Sequence, residues 1–214
     1  MTSVTSTAPD RRRDPDRTRQ EILDVATEEF ARNGFSGARV DDMADRMRTT
    51  KRMIYYYFGG KQGLYAAVLE AAYRRIRSEE QTIDVDHLEP TAALRCVAEL
   101  TFDHHEAHPD FIRLVAIENV HGADQLAKLP DVRALGSPAI DLIERILERG
   151  RASGDFTREV DALDVHMVIS AYCVFRIANR HTFRTLFDRD LLDADRRVGY
   201  RQMLGDLVVG YVTG

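Results

Sequence analysis

The stretch from Ala38 to Tyr65, ARVDDMADRMRTTKRMIYYYFGGKQGLY, constrains this chain more than any other. Val40, Met43, Ala44 and Met47 recur at i, i+3, i+4 and i+7, the spacing of one apolar face on a short helix. A further helix is expected to start near Thr50, whose hydroxyl can cap the first free amides, and to end near Phe58 before Gly59-Gly60. Ile54 and Phe58, four apart, anchor it inward and leave Lys51, Arg52, Tyr55, Tyr56 and Tyr57 to other faces. Upstream, Ile22, Leu23, Ala26 and Phe30 mark a helix from Arg17 that stops at Asn33-Gly34. Three short helices with small residues at the turns make a compact headpiece. From Lys61 a longer helix carries Leu64, Val68, Leu69, Ala72 and Ile76 inward and links headpiece to body.

The body also reads as helices, with breaks near His87 to Pro90, at His108-Pro109, around Pro130 and Gly136 to Pro138, at Gly154 and near Asp188 to Asp193. No strand-like alternation bounded by hairpin turns occurs, nor any internal repeat. The expected fold is all-α: a disordered basic tail over 1–16, a helix-turn-helix headpiece over 17–61, and a larger helical domain over 62–214. The last two helices, roughly Asp161 to Phe187 and Asp195 to Val212, are the longest apolar-striped pair. On the second, Tyr200, Leu204, Leu207, Val208 and Tyr211 keep helical spacing. Such a pair either closes the core or forms half of a four-helix dimer seam.

A net charge of −5 argues at first against a nucleic-acid partner. The charge is polarised, however: residues 1–61 hold 12 Lys+Arg against 10 Asp+Glu, whereas residues 62–214 hold 18 against 25. A mildly positive front end on an acidic body suits a protein that meets phosphate with one end. Arg11, Arg12 and Arg13 are either a groove-seeking arm or part of a solvated tail. Cys96 and Cys173 have no metal-ligand spacing and read as reduced thiols. No apolar run is long enough to span a membrane and no signal segment is evident, so a cytoplasmic location is expected.

A helix that enters a major groove must hold phosphates and touch base edges. Lys51 and Arg52 can approach the groove floor or its flanks. Tyrosine donates a hydrogen bond from a rigid ring with little rotamer entropy to lose. Lys61 brings a cation and a helix N-terminus to the same backbone. The alternative for a tyrosine run is packing inside the protein or against a partner.

Phe30, Asn33-Gly34-Phe35 and then Lys51, Ile54, Tyr55, Tyr57, Phe58, Lys61, Leu64 and Tyr65 occur in a spacing that resembles the N-terminal DNA-binding domain of TetR-family transcriptional regulators. The similarity runs from about Thr18 to Val68. It implies that Arg52, Met53 and Tyr56 read bases, that Tyr55, Tyr57 and Lys61 grip phosphates, and that Thr50 caps the reading helix. Arg39 and Arg48 join this expected DNA-binding set. The chain departs from the family pattern at Met47, Arg48, Ala38 and Gly59-Gly60. Arg48 replaces a glycine where a positive φ is often wanted.

The resemblance further implies a double-stranded DNA operator, a small-molecule effector bound by the C-terminal domain, and a homodimer through the last two helices. Two headpieces about 34 to 36 Å apart match successive major grooves of a palindrome. A repressor released by its effector is the expectation. Phe102 and His105 share a helical face, as do Leu114, Glu118 and His121, and Phe175, Arg176 and Asn179 lie mid-helix; the expected effector site is Phe102, His105, Glu118, His121, Phe175, Arg176 and Asn179. For Arg176, surface exposure or an internal salt bridge competes with that role. His104 and His108, four apart, can share a metal, but histidines at a helix end before proline also serve as solvated or capping groups, and neither metal nor cofactor is expected. A metal-dependent enzyme and a helical assembly protein that never meets DNA are the rival classes. No GxSxG, GxxxxGK or GxGxxG motif supports an enzyme.

Overall fold

A computed structural model of the chain describes residues 14–47, 49–130, 132 and 137–214. Arg11, Arg12, Arg13 and Arg48 therefore lie outside the described residues. Ten α-helices and no strand form among those that are described. Helix α1 (Pro15–Gly37) opens with Asp14 accepting from the Asp16 amide at 3.0 Å and with proline at the first turn, where its missing N–H costs nothing. The expected stop at Asn33-Gly34 is a break within this element: Gly34 is non-helical (φ 67°, ψ 176°), and one further turn follows it. Then come α2 (Val40–Arg46), α3 (Lys51–Phe58) and α4 (Lys61–Gln81).

The remaining helices are α5 (Pro90–Ala107), α6 (Pro109–Val120), α7 (Ser137–Ser153), α8 (Ala162–Ala178), α9 (Arg180–Phe187) and α10 (Ala194–Thr213), with a 3₁₀ turn at Leu126–Lys128. The long helix expected over Asp161 to Phe187 is in fact two, α8 and α9, divided at Asn179 (φ −100°, ψ 5°). No described helix is long and apolar enough to cross a membrane.

Two apolar cores organise these elements. The first gathers Ile22, Ala26, Phe30, Met43, Ile54, Leu64, Tyr65 and Val68 from α1 to α4, and completes itself with Leu114 of α6 and Leu129. The expected boundary at 61/62 thus falls ahead of side chains that fill the headpiece core. The second core surrounds α5, whose Leu94, Val97 and Phe102 meet Ile143 and Leu147 of α7, Val165 and Ile169 of α8, and Leu204 and Val208 of α10. Helix α10 buries Leu204, Val208 and Val212 and leaves Leu207 and Tyr211 exposed, so one face closes the core.

Beside the second core runs a ladder of ion pairs. Glu99, Asp103 and Glu106 line one face of α5. Arg201 pairs with Glu99 and, at 3.0 Å, with Asp103; Arg197 pairs with Asp103 at 2.6 Å and Glu106 at 2.9 Å. The spacing of four between Arg197 and Arg201 matches that between Glu99 and Asp103, so the rungs register as α5 and α10 pack.

Candidate nucleic-acid interface and effector cavity

Helix α3 owes its orientation to one fully buried side chain, Ile54, and to a tight exit. Gly59 ends it in the left-handed conformation (φ 72°, ψ 2°). Two residues into α4, a β-carbon on Gly63 would stand 1.9 Å from the carbonyl oxygen of Phe58. The backbones of α3 and α4 therefore approach as only glycine permits. The guanidinium of Arg19 lies 5.2 Å from the Phe58 ring centroid and steadies the same end from α1.

What remains outward is a polar and phenolic face. Lys51 and Arg52 are exposed, Tyr56 is 78% exposed and Tyr55 49%. Met53 is half-buried, and Tyr57 packs partly into the headpiece core while its ring meets that of Tyr56 edge-on. Thr50 stands at the start of α3, and its carbonyl accepts from the Met53 amide at 2.9 Å; its hydroxyl makes no capping bond, contrary to expectation, because the backbone carbonyl alone closes the first turn. Arg39 occupies the corresponding position before α2 and is exposed. Lys51 Nζ lies 3.1 Å from the Asp41 carboxylate of α2, a neighbour that spacing rules on a single helix do not find. Lys61 Nζ donates to the Ser36 carbonyl at 3.3 Å and sits 5.0 Å from the Phe35 ring centroid, so its ammonium is held over the turn after Gly34.

Glu118, expected in an effector pocket, instead joins headpiece to body. It is 3% exposed; one oxygen accepts from the Tyr65 hydroxyl at 2.8 Å and the other from the amides of Gln125 at 3.2 Å and Leu126 at 2.9 Å. Burial, then the hydrogen bond and charge of Glu118, raises the Tyr65 phenol above its ordinary pKa and keeps it a donor. The Tyr65 ring meets Phe30 edge-on at 4.8 Å.

The other six expected effector residues do not gather round one cavity either, although Phe102 and Arg176 touch each other. Arg176 is 3% exposed and internally committed: it pairs with Glu106 at 3.1 Å, donates to the Leu191 carbonyl at 2.9 Å and stacks 4.0 Å from the Phe102 ring centroid. Phe102 is thereby enclosed in the second core. Phe175 points the opposite way, is about half exposed and meets Phe183 of α9 edge-on. Asn179 marks the α8–α9 break, and His121 is exposed after α6. A one-helix reading places side chains on a face but not the neighbouring helix that claims them.

His105 alone of the seven lines the cavity of about 500 Å³ between the end of α4 and α5. Ile83, Cys96 and Leu100 give it apolar walls; Thr101, Asp84 and Asp103 add polar groups. His105 Nδ1 lies 2.8 Å from the Thr101 carbonyl, and burial pushes its pKa down to about 4, so the ring is neutral. At one edge the Glu79 carboxylate meets His104 Nδ1 and lies 3.6 Å from His108 Nε2. Burial pulls His104 below the usual histidine range while Glu79 opposes it. Sequence spacing pairs the two histidines; Glu79 comes from another helix and was not legible.

Residues 22–68 match the model described as bacterial regulatory proteins, tetR family, and residues 90–208 match that of the tetracyclin repressor-like C-terminal domain. The chain is 32% identical over 194 residues to the HTH-type transcriptional repressor NicS of Pseudomonas putida, covering 91% of this chain and 92% of that one. It is 36% identical over 108 residues to the repressor SCO4008 of Streptomyces coelicolor, about half of each chain. Among solved structures, the regulator SCO4942 of Streptomyces coelicolor superposes with a TM-score of 0.66 at 28% identity, over 89% of this chain and 97% of that one. The ketosteroid transcriptional regulator KstR2 of Mycobacterium tuberculosis shares the fold, with a TM-score of 0.69 at 20% identity over 92% and 95%. With both halves matched and the helix-turn-helix formed, the chain belongs to the TetR family, as a DNA-binding transcriptional regulator and not an enzyme.

Proposed function

We propose that the protein is a dimeric repressor that binds a palindromic operator through α3 and leaves it when a small molecule occupies the cavity between α4 and α5. The outward face of α3 carries this reading: Ile54 is buried, whereas Lys51, Arg52, Tyr55 and Tyr56 form one surface that a major groove accommodates. Arg52, Met53 and Tyr56 are assigned to bases. Thr50, Tyr55, Tyr57 and Lys61 are assigned to the phosphate backbone, with Arg39, Arg48 and Lys51 on the flanks. Asp41 holds the Lys51 ammonium until phosphate replaces it.

The dimer is assigned to α8 and α10. Leu163, Met167 and Phe175 on the first, and Val198, Met203, Leu207 and Tyr211 on the second, are exposed apolar side chains beside a closed core. Pairing this face across a two-fold axis covers it. The cavity suits an effector with an apolar body and a few hydrogen-bonding groups, and its volume lies within the usual range for such sites. The effector must favour the DNA-incompetent arrangement to act at all. The regulator works in the cytoplasm, where its operator is.

The test is a selection of bound duplexes from a random pool by the purified protein and by its Tyr56→Ala variant. Tyr56 is the better choice than Tyr55, whose ring packs against Gly60. Enrichment of a palindrome by the wild type, lost in the variant, is expected. A monomer that enriches no palindrome overturns the proposal.

A further inference from the structure

Three side chains able to ligate a metal meet where α4 ends and α5 gives way to α6. Glu79 is on α4; His104 is on the last turn of α5; His108 is the residue at which α5 stops, and its amide still donates to the His104 carbonyl at 3.1 Å. That bond keeps the two imidazoles on one side, their ring centroids 4.5 Å apart. One ligand atom from each of the three residues falls within 4.8 Å of the others.

We propose that Glu79, His104 and His108 form a binding site for a divalent first-row transition ion of the zinc, cobalt and nickel class. Two imidazole nitrogens and one carboxylate are a donor set that such ions favour over calcium or magnesium, which prefer oxygen alone. Metal–ligand bonds of about 2.0–2.2 Å put neighbouring tetrahedral ligand atoms about 3.3 Å apart. The 3.6 Å between Glu79 Oε1 and His108 Nε2 is close to that, and Glu79 also reaches His104 Nδ1. Arg75 is a competing cation, 3.5 Å from Glu79 and largely exposed; such a surface pair is weak and yields to a metal.

Three protein ligands leave a coordination position open. Glu79 and His104 both line the effector cavity, so that position adjoins it, and water or a donor atom of a cavity-bound molecule completes the shell. His108 lines a second opening, of about 630 Å³, bordered by α1, α4 and α6. The ion thus ties α4 to the α5–α6 junction between the two spaces. This site does not depend on the repressor reading, and its test does not involve DNA.

The experiment uses tag-free, full-length protein stripped with a chelator and titrated with Co(II). The expected result is one ion per chain, a visible ligand-field band that saturates at that ratio, and a raised Tm that chelator reverses. Glu79→Gln and His108→Ala alter partly exposed side chains, and circular dichroism checks their fold. Each is expected to weaken Co(II) binding on the order of 100-fold, since even outer-shell losses cost 10- to 100-fold. His121→Ala, which changes an exposed histidine elsewhere, leaves binding intact. Absence of the band, or equal affinity in wild type and both folded variants, overturns the assignment.

Discussion

Arg176 is a cation taken out of water, and the fold answers it on several sides. Glu106 supplies charge, the Leu191 carbonyl accepts, and Phe102 and Tyr200 offer ring faces at 4.0 and 5.2 Å. Removing one member of a buried pair strands the other. Arg176→Ala is therefore expected to lower unfolding free energy by about 3 kcal/mol, read from the urea midpoint. Tyr65→Phe takes the hydroxyl from the buried Glu118 carboxylate and is expected to cost about 2 kcal/mol, with the apolar packing of the ring kept. The two thiols should behave differently. Burial pushes Cys173 up to about 12, so a thiol reagent applied to native protein near neutral pH should leave it unmodified. Cys96, half-buried on the cavity wall, should react slowly, and an effector in the cavity should protect it.

At the scale of elements, the turn between α3 and α4 sets how α3, the proposed reading helix, is presented. Gly63→Ala forces a β-carbon into the Phe58 carbonyl, and the helices must separate to admit it. The expected outcome is retained helicity by circular dichroism with operator affinity at least about tenfold weaker in fluorescence anisotropy, a difference of about 1.4 kcal/mol. This turn was legible because its residues act locally: Ile54 and Phe58 set the inward face, and Gly59-Gly60 the stop. The split of α8 from α9 was not. Phe175 and Phe183 continue an apolar pattern across Asn179, and no proline or glycine marks the change. The partners of three expected effector-site residues were hidden for a related reason. Phe102, Glu118 and Arg176 are polar or aromatic groups on apolar faces, and each is claimed by a partner far away in sequence: Arg176, Tyr65 and Glu106 respectively.

For the whole molecule, charge polarity and association govern behaviour. Operator binding should weaken steeply with salt, because each phosphate neutralised releases a counterion. If α8 and α10 meet across the two-fold axis, Met167→Glu or Leu207→Glu places charge in an apolar seam and should yield monomers in analytical ultracentrifugation. Both side chains are exposed in the single chain, so neither change should unfold it. The all-α class and the helix-turn-helix were legible from periodicity and turn residues, but the way the halves join was not. Leu114 and Leu129 enter the headpiece core from outside it, and nothing in their local pattern announces that destination. This shared core limits how such a protein can be rebuilt. Cutting after Lys61 and splicing the headpiece to a foreign body would strip Leu64, Tyr65 and Val68 from the core and leave Phe30 facing side chains selected for another shape. With α3 as the proposed reading surface, DNA preference should be transplantable by exchanging its exposed side chains, and not as a detachable module.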